Sequence, residues 1–187
     1  MASTQKRGLW ASLLQPSPTR SILSLVAVGA VIGALGLLGF DAVMHATSTD
    51  EFCTSCHEME IPRAQLEKTS HFANAPGVGA GCADCHVPRE FGPKMIRKIE
   101  AAREVWGSLT GVIDTAEKYA AHAPAMKERE IARLRNSDSQ ECRNCHETSR
   151  MMAAVQSSKA QKYHGAMARS GKTCIDCHAG IAHPESE

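Results

Sequence analysis

Cys53-Thr-Ser-Cys56-His57, Cys82-Ala-Asp-Cys85-His86, Cys142-Arg-Asn-Cys145-His146 and Cys174-Ile-Asp-Cys177-His178 are one phrase used four times. Cys-x-x-Cys-His is the attachment signature of c-type haem. Two thiols one helical turn apart each form a thioether to a vinyl group, and the next residue offers an imidazole to the iron. Structural zinc sites and thiol redox sites also use Cys-x-x-Cys, but neither needs His in the fifth position. The chain has 8 Cys and 9 His, and all eight cysteines fall in the four motifs. The expected cofactor complement is therefore four covalently bound haems c.

The remaining composition agrees with a cofactor-filled interior. Only 4% of the 187 residues are aromatic. The macrocycles would supply much of the apolar surface that Phe, Tyr and Trp otherwise provide. A formal net charge of +1 gives no reason to expect nucleic acid as a partner. The expected fold is mainly α with much irregular loop. It consists of a single N-terminal transmembrane helix and a compact tetrahaem cytochrome c domain built from two di-haem pairs.

Lys6, Arg7 and Arg20 precede residues 21–40, a stretch with no charge at all. Twenty helical residues at 1.5 Å each span about 30 Å, the hydrocarbon thickness of a bilayer. Asp41, Asp50 and Glu51 follow it. The charge asymmetry predicts a cytoplasmic segment at 1–20, an anchor at 21–40 and a periplasmic haem domain at 41–187 in a bacterial inner membrane. A cleaved signal peptide is the competing reading; it would have a shorter apolar run and a clean Ala-x-Ala site.

The first motif starts a dozen residues beyond the anchor, which holds the first haem at the membrane surface. Met59, two residues after His57, is either a thioether ligand to iron or a packing residue against the macrocycle. In the loop Thr69-Ser-His71-Phe-Ala-Asn-Ala-Pro-Gly-Val-Gly, His71 is a candidate sixth ligand. Pro93 is expected to open a helix reaching about Gly107, with Met95, Ile99, Ala102, Val105 and Trp106 on one face. Lys98 falls inside that apolar arc. It either snorkels to the edge or uses its amine, as ligand or as donor to a substrate. Glu104 projects beside Arg97, where a solvated ion pair is the plain expectation.

A second helix is expected over 115–135, interrupted at Pro124. It separates the motifs into two pairs, as in a doubled two-haem unit. His164 and His183 complete the donors. His183 follows Cys177-His178 too closely to reach the far side of the same iron, so it would ligate a neighbour. His45 reads as an interfacial residue, and His122 has no assigned place.

The strings Glu51-Phe-Cys-Thr-Ser-Cys-His-Glu-Met59, Gly81-Cys-Ala-Asp-Cys-His-Val-Pro88, Pro93-Lys-Met-Ile-Arg-Lys98, Asp138-Ser-Gln-Glu-Cys-Arg-Asn-Cys-His146 and Lys172-Thr-Cys-Ile-Asp-Cys-His-Ala-Gly-Ile-Ala-His183 carry a family resemblance. They are similar to the membrane-anchored tetrahaem quinol dehydrogenases NapC, NirT, NrfH and CymA, and to the NapC/NirT branch in particular. The resemblance implies oxidation of menaquinol or ubiquinol at haem 1. Electrons would pass to a periplasmic reductase, such as one for nitrate or nitrite, in a homo-oligomer or a reductase complex. On the NrfH-like pattern, Met59 replaces His57 on haem 1, and Lys98 lies at the quinol pocket or on haem 2 with Glu104 as a nearby acid. His71 and His183 then ligate haems of the second pair. The NapC-like pattern uses bis-histidine haems, with ligands at His71, His164, His183 and a histidine just after the second motif. That last position is Arg89 here, which favours Lys98 as the substitute ligand.

Overall fold

Helix formation dominates a chain with few β-branched runs, and the computed structural model of the protein, which describes residues 20–184, contains no strand among them. The chain divides into two units, residues 1–45 and 46–187. The basic N-terminal residues Lys6 and Arg7 lie outside the described residues.

The first unit holds α1, Ile22–Ala46, the one described helix long and apolar enough to cross a membrane. Its 25 residues extend about 38 Å at 1.5 Å each. The helix runs past Phe40 because residues 41–46 contain neither Gly nor Pro, and it stops where Thr47, Ser48 and Thr49 follow. None of its residues is buried.

The second unit is a succession of short helices and turns. These are α2 (Asp50–Cys53), a 3-10 turn at His57–Met59, α3 (Glu60–Leu66), α4 (Cys82–His86), α5 (Phe91–Leu109), α6 (Ala116–Asn136), α7 (Gln140–Arg143), α8 (Ser158–Ser170) and α9 (Ile175–His178). Thr49, Thr115 and Ser157 cap α2, α6 and α8 by accepting from the backbone N–H three residues on. α6 is continuous through Pro124, where an interruption was expected. Proline frees one carbonyl, that of Ala120, and both residues lie on the exposed face, where water satisfies it. The covered stripe of α6 runs Tyr119, Ala123, Met126, Glu130, Leu134.

Among the described residues, Leu66, Ile113 and Leu134 are the buried hydrophobics. Three aliphatic side chains fall far short of what ordering a unit of this length costs. The apolar face expected on α5 is correspondingly uncovered by polypeptide: Ile99 is 71% and Trp106 68% exposed. Polar ties do the joining instead. Asp50 Oδ1 accepts from Cys82 N at 2.8 Å, and its other oxygen pairs with Arg63, so α2, α3 and α4 meet at one carboxylate. Gly81 is required beside it, because a Cβ there would fall 2.7 Å from Asp50 Oδ1. Asp138 and Ser139 turn the chain into α7 in the left-handed region, with φ of 51° and 53°. Ser139 is fully buried and its Oγ accepts from Ile175 N at 3.2 Å, tying α7 to α9.

Asp50→Ala removes a charged acceptor from two partners and is expected to cost about 2 kcal/mol. The denaturant midpoint of the purified protein should fall, with Asp50→Asn falling less because it keeps an acceptor for Cys82.

Candidate cofactor site

Three motifs sit on a helical turn, which brings residues three apart to one side, whereas in the first Cys53 ends α2, Cys56 is extended and His57 opens the 3-10 turn. The second motif is the whole of α4. In the third and fourth, His146 N donates to Cys142 O at 2.8 Å and His178 N to Cys174 O at 3.0 Å. All eight cysteines are unpaired. The motifs adjoin in chain order: α2 touches α4, α4 touches α7, and Ser139 joins α7 to the start of α9.

Three motif histidines face a second histidine. His71 and His146 have ring centroids 6.1 Å apart, His86 and His183 6.1 Å, and His164 and His178 6.0 Å. A metal–imidazole bond is about 2.0 Å and the ring nitrogen lies about 1.1 Å from its centroid, so one metal between two rings needs about 6.2 Å. The spacing fits an iron in each pair. Two side-chain ligands suit a porphyrin iron, whereas structural zinc takes four, and no cluster of three or more His, Cys, Asp or Glu converges among the described residues. The scarcity of buried apolar side chains fits macrocycles equally well.

These pairings bear on two expectations. His183 faces His86, a neighbour of its own motif, where the NrfH-like pattern implied a haem of the second pair. The chain turns back at Gly180, whose φ is +86°, and this carries the tail away from its own motif. The place opposite His86 is therefore taken by His183 and not by Lys98. His71 does reach the second half of the chain, at His146.

The Nδ1 atoms of the paired rings have different surroundings. His86 Nδ1 lies 2.9 Å from Glu130 Oε1, and His164 Nδ1 lies 2.8 Å from Gln156 Oε1. Those of His71 and His183 are buried without a hydrogen bond. Burial, with His86 alongside, pushes the His183 imidazole below its usual range. Glu130 is opposed by burial, yet hydrogen bonds from His86 and Arg133 hold its carboxyl down at about 2. Arg133 is the hub of this region. It binds Glu130 at 2.7 Å, Glu141 at 2.6 Å and the Cys85 carbonyl at 3.1 Å.

The first motif differs. His57 is exposed and, among the described residues, has no ring partner; its Nδ1 lies 3.5 Å from the buried Glu58. Met59 closes the same 3-10 turn and is half-buried. Lys98 donates to the Thr47 carbonyl and, at 2.8 Å, to Thr47 Oγ1, which explains a lysine inside an apolar arc. Burial lowers its ammonium pKa, and Lys94 adds repulsion. Glu104 pairs with Arg129 of α6 at 3.4 Å rather than with Arg97, whose Nε donates to the His86 carbonyl. Lys98 and Glu104 are thus directed to different neighbours. His122 is exposed on α6, its Nδ1 2.8 Å from the Lys118 carbonyl, and outside every pair. Asp114 pairs with Lys118 at 2.7 Å. Sequence reasoning missed Glu130, Arg133 and Gln156, because Glu130 and Arg133 act on other elements and Gln156 meets His164 from the turn before α8, which no local pattern marks.

Residues 15–187 match the model of the NapC/NirT cytochrome c family, N-terminal region. The chain is 46% identical to the denitrification system component NirT of Stutzerimonas stutzeri, covering 96% of this chain and 90% of that protein. It is 47% identical to the cytochrome c-type protein NapC of Escherichia coli K12, covering 89% and 84%. A tetrahaem cytochrome-c type protein of Allochromatium vinosum is 43% identical over 87% of this chain and 89% of its own length. No solved structure matches the chain.

Arg133→Met would leave Glu141, whose side chain is 2% exposed, buried without its charge partner. The expected loss is about 3–5 kcal/mol. It is measured by chemical denaturation followed by far-UV circular dichroism.

Proposed function

The chain belongs to the NapC/NirT cytochrome c family, and from that premise we propose that it is a membrane-anchored tetrahaem cytochrome that oxidises quinol and passes the electrons to a periplasmic reductase. The observation that carries this reading is an asymmetry: three motif histidines have a histidine partner 6.0–6.1 Å away, and His57 has none. On this reading His86 with His183, His146 with His71 and His178 with His164 would hold haems 2, 3 and 4. Such irons have no room for a substrate and serve transfer alone. Haem 1, carried by Cys53 and Cys56 and ligated by His57 or Met59, keeps an accessible side.

When bound, each haem iron accepts one electron at a time, whereas quinol gives up two electrons and two protons. The chain's own residues must therefore orient the quinol hydroxyl and take its protons. Lys98 suits this, because its ammonium can donate a hydrogen bond to the quinol oxygen, and burial, which lowers its pKa, favours the neutral amine that can accept a proton. Glu104 is the less suited of the two, because Arg129 already engages its carboxylate at 3.4 Å. α1 serves as the single anchor, its N-terminus cytoplasmic by the charge of residues 1–20. That places the haem domain at the periplasmic face of the inner membrane, within reach of lipid-soluble menaquinol or ubiquinol. NirT, named as a denitrification component, points to nitrogen-oxide respiration as the downstream use.

The alternative is a passive tethered carrier without a quinol site. Full-length protein in detergent, mixed anaerobically with a menaquinol analogue, is expected to show haem reduction in its absorbance bands. No reduction of a fully loaded protein would leave only the passive carrier. Lys98→Ala should slow quinol oxidation by at least about tenfold with all haems retained; unchanged turnover would remove Lys98 from the site. His71→Ala, His164→Ala and His183→Ala should each convert one low-spin ferric signal to high spin, as read by electron paramagnetic resonance.

A further inference from the structure

Glu130 sits on α6, yet it bonds a motif histidine from another part of the chain. Its Oε1 lies 2.9 Å from His86 Nδ1, and its side chain is 19% exposed. The surroundings form a clamp on one residue. Arg97 Nε donates to the His86 carbonyl at 3.2 Å, and Arg133 Nη2 donates to the Cys85 carbonyl at 3.1 Å. Arg133 also binds Glu130 through Nη2 at 2.7 Å, while Arg97 Nη2 stands 3.9 Å from Glu130 Oε2. Ring, carboxylate and backbone are therefore fixed together. The comparable position on His164 is filled by the neutral amide of Gln156 at 2.8 Å.

We propose that Glu130 is a positioning residue for haem 2, orienting His86 on the iron and lowering that haem's reduction potential relative to the other histidine-ligated haems. This rests on the reading of His86 and His183 as the axial pair. A ligating imidazole that donates its second N–H to a carboxylate is locked in one tautomer and becomes a stronger donor. Stronger donation favours the ferric state and so lowers the potential. Arg133 is shared with Glu141 at 2.6 Å and Arg97 stands 3.9 Å from Glu130, so two cations face two carboxylates and the hydrogen bond to His86, rather than net charge, carries the effect. The cluster thus makes haem 2 harder to reduce than a haem whose histidine meets an amide.

The test is Glu130→Gln in the full-length protein carrying its haems. Redox titration is followed optically and by electron paramagnetic resonance. The expected result is four retained haems and one midpoint raised by about a tenfold change in its reduction equilibrium, 59 mV for one electron. One low-spin ferric signal should shift with it while the others stay. Glu128→Gln, which removes an equal but exposed charge from the same helix, is expected to leave every midpoint in place. Unmoved midpoints in Glu130→Gln, or an equal shift in Glu128→Gln, would overturn the proposal. Should Glu130→Gln lose haem, Glu130→Asp decides: a smaller rise in one midpoint supports the proposal, and wild-type midpoints overturn it. Failure of the axial assignment itself would be seen separately, as a His183→Ala protein whose ferric signals are all unchanged.

Discussion

Holding one metal between two imidazoles requires rings from distant parts of the chain to be brought to about 6 Å and kept there, and this polypeptide has almost no apolar interior with which to do it. Leu66, Ile113 and Leu134 are the buried hydrophobics among the described residues. Covalent thioethers change the problem. A macrocycle fixed at Cys82 and Cys85 becomes part of the chain, and its faces and edges offer apolar area where the protein has little. The exposure of Phe52, Ile99 and Trp106 on the second unit then reads as surface suited to other apolar matter.

Directional polar bonds supply the positioning that packing cannot. Asp50 joins α2, α3 and α4 through Cys82 N and Arg63. Arg133 joins α6 to both α4 and α7 through the Cys85 carbonyl and Glu141. Ser139 joins α7 to α9. Each tie links successive motifs, so the attachment turns adjoin in chain order. A charged hydrogen bond lost from such a tie costs more than a surface pair would, because the partner left behind is partly or wholly buried.

Local pattern carried much of this, and its limits have a physical cause. The four Cys-x-x-Cys-His turns, the long apolar helix and the helices around α5 and α6 are short-range features, readable from spacing and periodicity. Boundaries moved at two ends: α5 begins at Phe91, ahead of Pro93, after a Glu90 that makes no side-chain cap, and α1 continues to Ala46. Pro124 read as a break because the pattern does not reveal which face meets water. Which neighbour His183 faces was not readable, since its place depends on the turn at Gly180. Glu104 found Arg129 instead of Arg97 because a helical projection sees only its own helix. Glu130 was invisible for the same reason: its partner His86 is a tertiary neighbour.

The asymmetry between the first motif and the rest links these features to direction of flow. Histidines closed by a partner ring favour transfer over chemistry, because no ligand site stays open. His57, exposed and unpartnered, is the motif histidine nearest in sequence to α1, and Lys98 is bonded to Thr47, which directly follows that helix. Chemistry at a membrane-borne substrate needs access, a proton acceptor and an exit for electrons. Lys98 carries a charge destabilised by burial, and α2 and α4, which bear cysteines of the first two motifs, touch. A carboxylate on His86 and an amide on His164 mean that the successive centres are not equivalent. Differences in ligand surroundings of that kind separate the potentials of otherwise alike irons. A chain of like centres would hold electrons anywhere along it, whereas graded centres let the chain set where they rest before leaving.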